Sequence, residues 1–257
     1  MSNKKISFIK IAILSVPVCF FLIGCAEKNS TLVFKANGED FVRQGFVDKQ
    51  SWSISFEKLY VNLTDITAYN KKENLRASLP GEYLIDLARG GNNAEPITVG
   101  SVKTSEGNYQ SLSFRLVQAA QGAYKGYSIV MIGTAKKGSS YIPFEIKLDE
   151  EMRFDGKEGY VGDTVKGILK KNTISDVEMT FHFDHIFGDI ESEKESHINT
   201  GSVGFDFFNK FATNGMVKVT QKELEHEPDY HTLIHALWTL GHLGEGHCEV
   251  SDTSTQL

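Results

Sequence analysis

Apolar and polar residues alternate with a period of two along most of the first 185 residues. The stretch YIPFEIKL (141–148) sets Ile142, Phe144, Ile146 and Leu148 on one face and Tyr141, Pro143, Glu145 and Lys147 on the other. YQSLSFRL (109–116) does the same with Leu112, Phe114 and Leu116, and VEMTFHFD (177–184) with Val177, Met179, Phe181 and Phe183. Strict alternation predicts strands with one buried face. SWSISFEKLYVNLTDITAY (51–69) also alternates but slips phase, which predicts a bulge or a break between two strands. Turn signals at Pro80-Gly81, at Gly90-Gly91-Asn92-Asn93 and in KKGS (136–139) punctuate these runs. No helical pattern alternates with the strands. The expectation is a mainly β fold, an antiparallel β-sandwich.

Beyond residue 185 the texture changes. GDIESEKESHINTGSVG (188–204) is polar and reads as loop. In FDFFNKFATNG (205–215), Phe205, Phe208 and Phe211 recur every third residue before Asn214-Gly215, which predicts a short helix with a stop. TQKE (220–223) has the capping-box pattern, with Pro228 ending what it starts. Asp229 suits an N-cap for YHTLIHALWTL, whose Leu233, Leu237 and Leu240 form an apolar stripe, and Gly241 suits the position after the helix. The sandwich is thus expected over 32–190, with a short helical and loop segment over 191–257 packed on it.

The first residues read as a removable leader. Lys4, Lys5 and Lys10 precede an apolar run over 11–23, too short for a spanning helix of ~20 residues. The run ends in LIGC (22–25), which resembles the lipobox of bacterial lipoproteins. That resemblance implies a signal peptide over 1–24, cleavage before Cys25, acyl chains such as palmitate on Cys25, and a polar tether over 25–31. Several acyl chains give stable membrane anchoring where one is marginal. Because Ala26 is not acidic, the resemblance also implies the outer membrane as destination, facing the periplasm or the cell surface. The alternative, an uncleaved anchor helix, conflicts with the length of the run.

Composition supports a folded, acidic protein. Hydrophobic residues make up 40% and aromatics 11%, enough for a real core. Losing the three leader lysines takes the formal charge from −6 to −9. With no basic stripe, nucleic acid is not an expected partner. Cys19 leaves with the leader and Cys25 is used for lipid, so Cys248 is left alone and forms no intrachain disulfide. The run YLIDLARGG…ITVGSVKTSEGNYQSLSFRL (83–116) resembles several families of bacterial envelope β-sandwich lipoproteins, some uncharacterised and others copper-binding in the periplasm.

All eight histidines lie between His182 and His247. Clustered imidazoles are read as possible metal binding. In FHFDH (181–185), alternation sends His182 and Asp184 to the face opposite Phe181 and Phe183, with His185 turning back towards them. In HALWTLGHLGEGHC (235–248), His242 and His247 flank a glycine-rich turn that lets two rings converge. His231 and His235 share a helix face at i, i+4. Imidazole with carboxylate suits zinc or copper. The expected ligands are His182, His185, His242 and His247, with Asp184 as ligand or orienting group and His231, His235 and Cys248 in reserve. His197 and His226 read as surface residues. No HExxH, paired CxxC, Walker, GxSxG or haem-attachment motif occurs.

The expected function is capture or delivery of a transition metal, zinc or copper, by a lipid-anchored envelope protein working with a metal-transport or other envelope partner. Two alternatives stay open. One is a surface module that binds polysaccharide, peptide or an envelope protein without metal. The other is a zinc-dependent hydrolase using Glu245 or Asp189 as base.

Overall fold

The computed structural model describes residues 30–93, 95–157, 159–160, 166–244 and 246–252. The expected signal peptide, Cys25, the tether as far as residue 29, and Glu245 lie outside the described residues. In chain order, β1 (Ser30–Asn37) leads into α1 (Glu39–Gln44) and the short β2 (Phe46–Val47). The long β3 (Ser53–Asn70) is followed by β4 (Leu75–Asp86), β5 (Ile97–Thr104), β6 (Gly107–Asn108) and β7 (Ser111–Leu116). A hairpin of β8 (Ile129–Lys137) and β9 (Ser140–Leu148) precedes β10 (Met152–Gly156), β11 (Ile168–Leu169) and β12 (Ile174–Phe181). Three short helices follow: α2 (Asp184–Phe187), α3 (His197–Thr200) and α4 (Phe205–Asn209). The chain ends through β13 (Ala212–Thr213), β14 (Met216–Thr220), α5 (Gln221–Leu224), α6 (Tyr230–Trp238), β15 (Gly241–Leu243), β16 (Gly246–His247) and β17 (Glu249–Asp252).

The fold is mainly β, with two mixed sheets packed together as in a sandwich. One sheet has the order β16-β15-β12-β1-β5. The larger sheet runs β13-β14-β9-β8-β3-β7-β10-β17, with β2 and β4 also paired to β3. Alternation explains the inner faces. On β1, Leu32, Phe34 and Ala36 are buried while Thr31, Val33, Lys35 and Asn37 stand partly out. Phe181 of the smaller sheet meets Phe114 of the larger at 5.5 Å between ring centroids, and Phe114 stacks on Phe154 at 5.1 Å. All three rings are buried, each worth about 1.5–3 kcal/mol in transfer alone.

Most strand pairs are antiparallel, as expected, but two are not. β1 runs parallel to β12, with Thr31 opposite Ile174 and Asn37 opposite Thr180. β14 runs parallel to β9. The phase slip in β3 is accommodated without a break, by register shifts between Phe56 and Lys58 and between Thr64 and Ile66, with Asp65 at φ 51°. Pro80-Gly81 is not a turn. It lies inside β4, opposite the second shift, where a bulge tolerates a proline that cannot donate to the ladder.

The segment over 191–257 is not only loop and helix. Its strands β13, β14 and β17 extend the larger sheet and β15 and β16 extend the smaller one. Asn214-Gly215 does not stop a helix. Both residues have positive φ, 53° and 75°, and they turn the β13–β14 hairpin, as Asn-Gly favours. The Glu223 carboxylate accepts from the Thr220 backbone N–H at 2.8 Å, so the TQKE cap forms. Asp229 precedes α6, but Thr239 rather than Gly241 closes it. Gly241 opens β15 instead, where a Cβ would come within 2.4 Å of the Phe154 ring. Only glycine lets this strand lie so close to the core.

Candidate metal centre

Four histidines gather where β12, β15 and β16 end beside α2 and α6. β12 stops at Phe181, not Phe183. The next apolar residues, Phe183, Ile186 and Phe187, follow a helical i, i+3, i+4 spacing and are fully buried. Burying them curls the chain into α2. The His185 N–H then donates to the His182 carbonyl at 3.2 Å, bringing the two rings to 5.5 Å between centroids. β15 pairs with the end of β12, Thr180 opposite His242, and the His182 N–H donates to the Leu240 carbonyl at 3.0 Å. His242 therefore lies over His182, stacked at 4.0 Å with 26° between the planes. β16 returns antiparallel, so His247 stands directly opposite His242, with ring centroids 4.4 Å apart. The glycine-rich stretch flanked by these residues is thus a tight hairpin, and its cross-strand pairing brings the two rings together.

The ligating nitrogens of His182, His185 and His242 lie within 4.8 Å of one another. Three nitrogens on one zinc at 2.0–2.1 Å would stand about 3.3 Å apart, so the set would have to draw in by up to about 1.5 Å to share an ion. His247 sits at its open edge, 6.2 Å from the His185 ring centroid, and is exposed.

Thr239, the residue that ends α6, sets the protonation pattern. Its hydroxyl donates to the Ala236 carbonyl at 2.9 Å, so its oxygen accepts from His185 Nδ1–H at 3.0 Å. Its backbone carbonyl accepts from His242 Nε2–H, also at 3.0 Å. These bonds leave a lone pair on His185 Nε2 and on His242 Nδ1. His242 Nδ1 and His182 Nε2 are both buried and lack a hydrogen-bond partner. Buried polar atoms are rarely left so, and each such atom calls for an explanation. The nearest carboxylate oxygen to His182 Nε2 belongs to Glu39, at 3.8 Å.

Electrostatics keep the rings neutral. Burial, and then the neighbouring imidazoles, push His182 down to about 4 and His242 down to about 3. Burial also lowers His185, partly offset by its bond to Thr239. Neutral imidazole is the form that ligates. His182, His185 and His242 thus offer neutral nitrogen donors, with the Glu39 carboxylate standing beside His182.

The remaining expected residues fall elsewhere. Asp184 does not project beside His182. It opens α2, is 5% exposed, and its oxygens do not join the three nitrogens within 4.8 Å. Burial pushes its carboxyl up to about 6, and its Oδ1 has no hydrogen-bond partner. Cys248 packs against the core, its thiol pushed up to about 12 by burial and by the Asp155 charge. A thiol so held is a poor metal donor. His231 is exposed on α6. His235, by contrast, lines a pocket of about 460 Å³ with His185, His247, Thr239 and His197. His197, expected as plain surface, is exposed and also lines this pocket. Asp189 lines a separate pocket beside Phe46 and Gln44, away from the histidines. Among the described residues no helix is long and apolar enough to cross a membrane. Comparison with protein-family models, with curated proteins and with solved structures found no match to this chain.

Proposed function

We propose that this is a lipid-anchored envelope protein that binds one zinc or copper ion through His182, His185 and His242, with His247 as the fourth donor, for capture or delivery. One observation carries the reading: two buried imidazole nitrogens without partners sit on two of the three histidines whose ligating nitrogens gather within 4.8 Å. Hydrophobic burial alone does not favour such an arrangement, because each unsatisfied nitrogen costs about 1–3 kcal/mol. An ion accepting both lone pairs turns that cost into binding energy. Thr239 supports the same reading, since histidine ligands commonly donate their other N–H to a fixed oxygen, which orients the ring. The donor set suits a borderline metal and offers too little oxygen for calcium or magnesium.

The test is metal analysis of the untagged protein from residue 26 onward after incubation with zinc or copper and gel filtration. About one equivalent is expected. H182A/H242A should lose it, whereas H226A should not. Full occupancy in H182A/H242A would overturn the assignment.

A further inference from the structure

The pocket beside the centre shares two walls with it. His185, a ligand, and Thr239, which orients His185, both line the pocket as well as the imidazole cluster. His247 lines it from the hairpin side. The other two imidazoles come from helices flanking α2: His197 starts α3 and His235 lies in the last turn of α6. Both helices pack against α2, which carries His185 between them. Half of the eight histidines of the chain thus line one pocket. Two of them, His197 and His235, are exposed and lie outside the three-nitrogen set.

We propose that this pocket is the loading port of the centre, and that His197 and His235 are transient ligands for a hydrated divalent ion entering or leaving it. The inference rests on the metal-binding reading above. A hydrated ion cannot shed its waters in one step, because the undercoordinated ion is far too high in energy. Exchange proceeds by replacing waters one at a time with donors in reach. Exposed imidazoles at the mouth supply the first replacements. His247 and His185 supply the next, and His242 and His182 the last. The net negative charge of the chain concentrates cations around it and adds to the rate of encounter.

Such a port has a kinetic signature that a ligand lacks. His197 and His235 hold the ion on the way in but not in the final state. Detailed balance then requires entry and exit to slow by the same factor when they are removed, leaving affinity unchanged. Cobalt(II) provides an absorbance probe. Stopped-flow uptake of cobalt(II), and its extraction by excess EDTA, would be compared in wild type, H197A/H235A and H197D/H235D. Both rates should fall about tenfold or more in the alanine pair, with Kd within twofold, and recover in the aspartate pair. Unchanged rates would overturn the port while leaving the inner centre standing. A weaker Kd with faster extraction would make the two residues final ligands and overturn it as well. If wild type takes up no cobalt(II), zinc(II) or copper(II), the metal-binding reading fails and the port with it. Both residues are exposed, so matching thermal unfolding of the variants serves as the control for folding.

Discussion

Metal-free protein should lose stability steeply between pH 7 and pH 5, chiefly through His182 and His242. Their folded values of about 4 and about 3 lie well below the ~6.5 of an unfolded histidine. At pH 5 both rings are neutral in the folded chain and protonated in the unfolded one. The unfolded state binds more protons, so this contribution is complete above about 6.5 and is lost as pH falls towards the folded values. Each ring loses about 1.36 kcal/mol per pH unit below 6.5, hence about 2 kcal/mol by pH 5 and about 4 kcal/mol for the pair. Asp184 opposes them. With a carboxyl pushed up to about 6 from 3.8, the folded state holds its proton at pH 5 and gains about 1.4 kcal/mol relative to pH 7. The imidazoles still win by about 3 kcal/mol, a large share of the ~5–15 kcal/mol typical of a domain. Urea unfolding, followed by fluorescence of the buried Trp52, would be measured at both pH values in wild type and H182Q/H242Q. Wild type should lose about 4 kcal/mol more than the variant on acidification. Equal losses would refute the burial argument for these rings.

Other expectations follow from the same geometry. T239V removes the acceptor for His185 Nδ1–H and should weaken metal binding 10–100-fold in a chelator competition, with T239S restoring most of it. Because burial keeps His182 and His242 from protonating, protein loaded as proposed should keep its ion through dialysis at pH 5.5, read by metal analysis. G241A places a methyl against Phe154 and should cost about 1–3 kcal/mol in thermal unfolding while loosening the His242 strand, so both melting temperature and metal affinity should drop.

Much of the sandwich is written in period-two alternation, because burying one face of a strand needs nothing more. β7 and β9 are legible for that reason. The parallel pairing of β1 with β12 is not, since nothing local in STLVFKAN identifies a partner some 140 residues away. The convergence of His182, His185, His242 and His247 was legible in part, from clustering and from the turn between the last two. The geometry that produces it was not. Extending alternation through Phe183 hid the helical spacing of Phe183, Ile186 and Phe187, and so misplaced Asp184. The hairpin that pairs His242 with His247 passed as a loose turn because its strands are only two and three residues long. Thr239 and Glu39 carried no signal, and His197 carried only its place among the clustered histidines. A hydroxyl at the end of a helix, an acid after Asn-Gly and an exposed imidazole are ordinary until the fold sets them beside something.

The parallel register of β1 and β12 fixes a polarity for the whole molecule. Ser30 enters the sheet at one end, held by bonds to Lys170 and Asn172, while the histidines emerge beyond the other end of β12. Eight residues of strand separate the two, about 25 Å at 3.3 Å per residue. If the tether proposed above is made upstream of Ser30, it would therefore pull from the far pole and leave the histidine end of the molecule on the side away from the attachment.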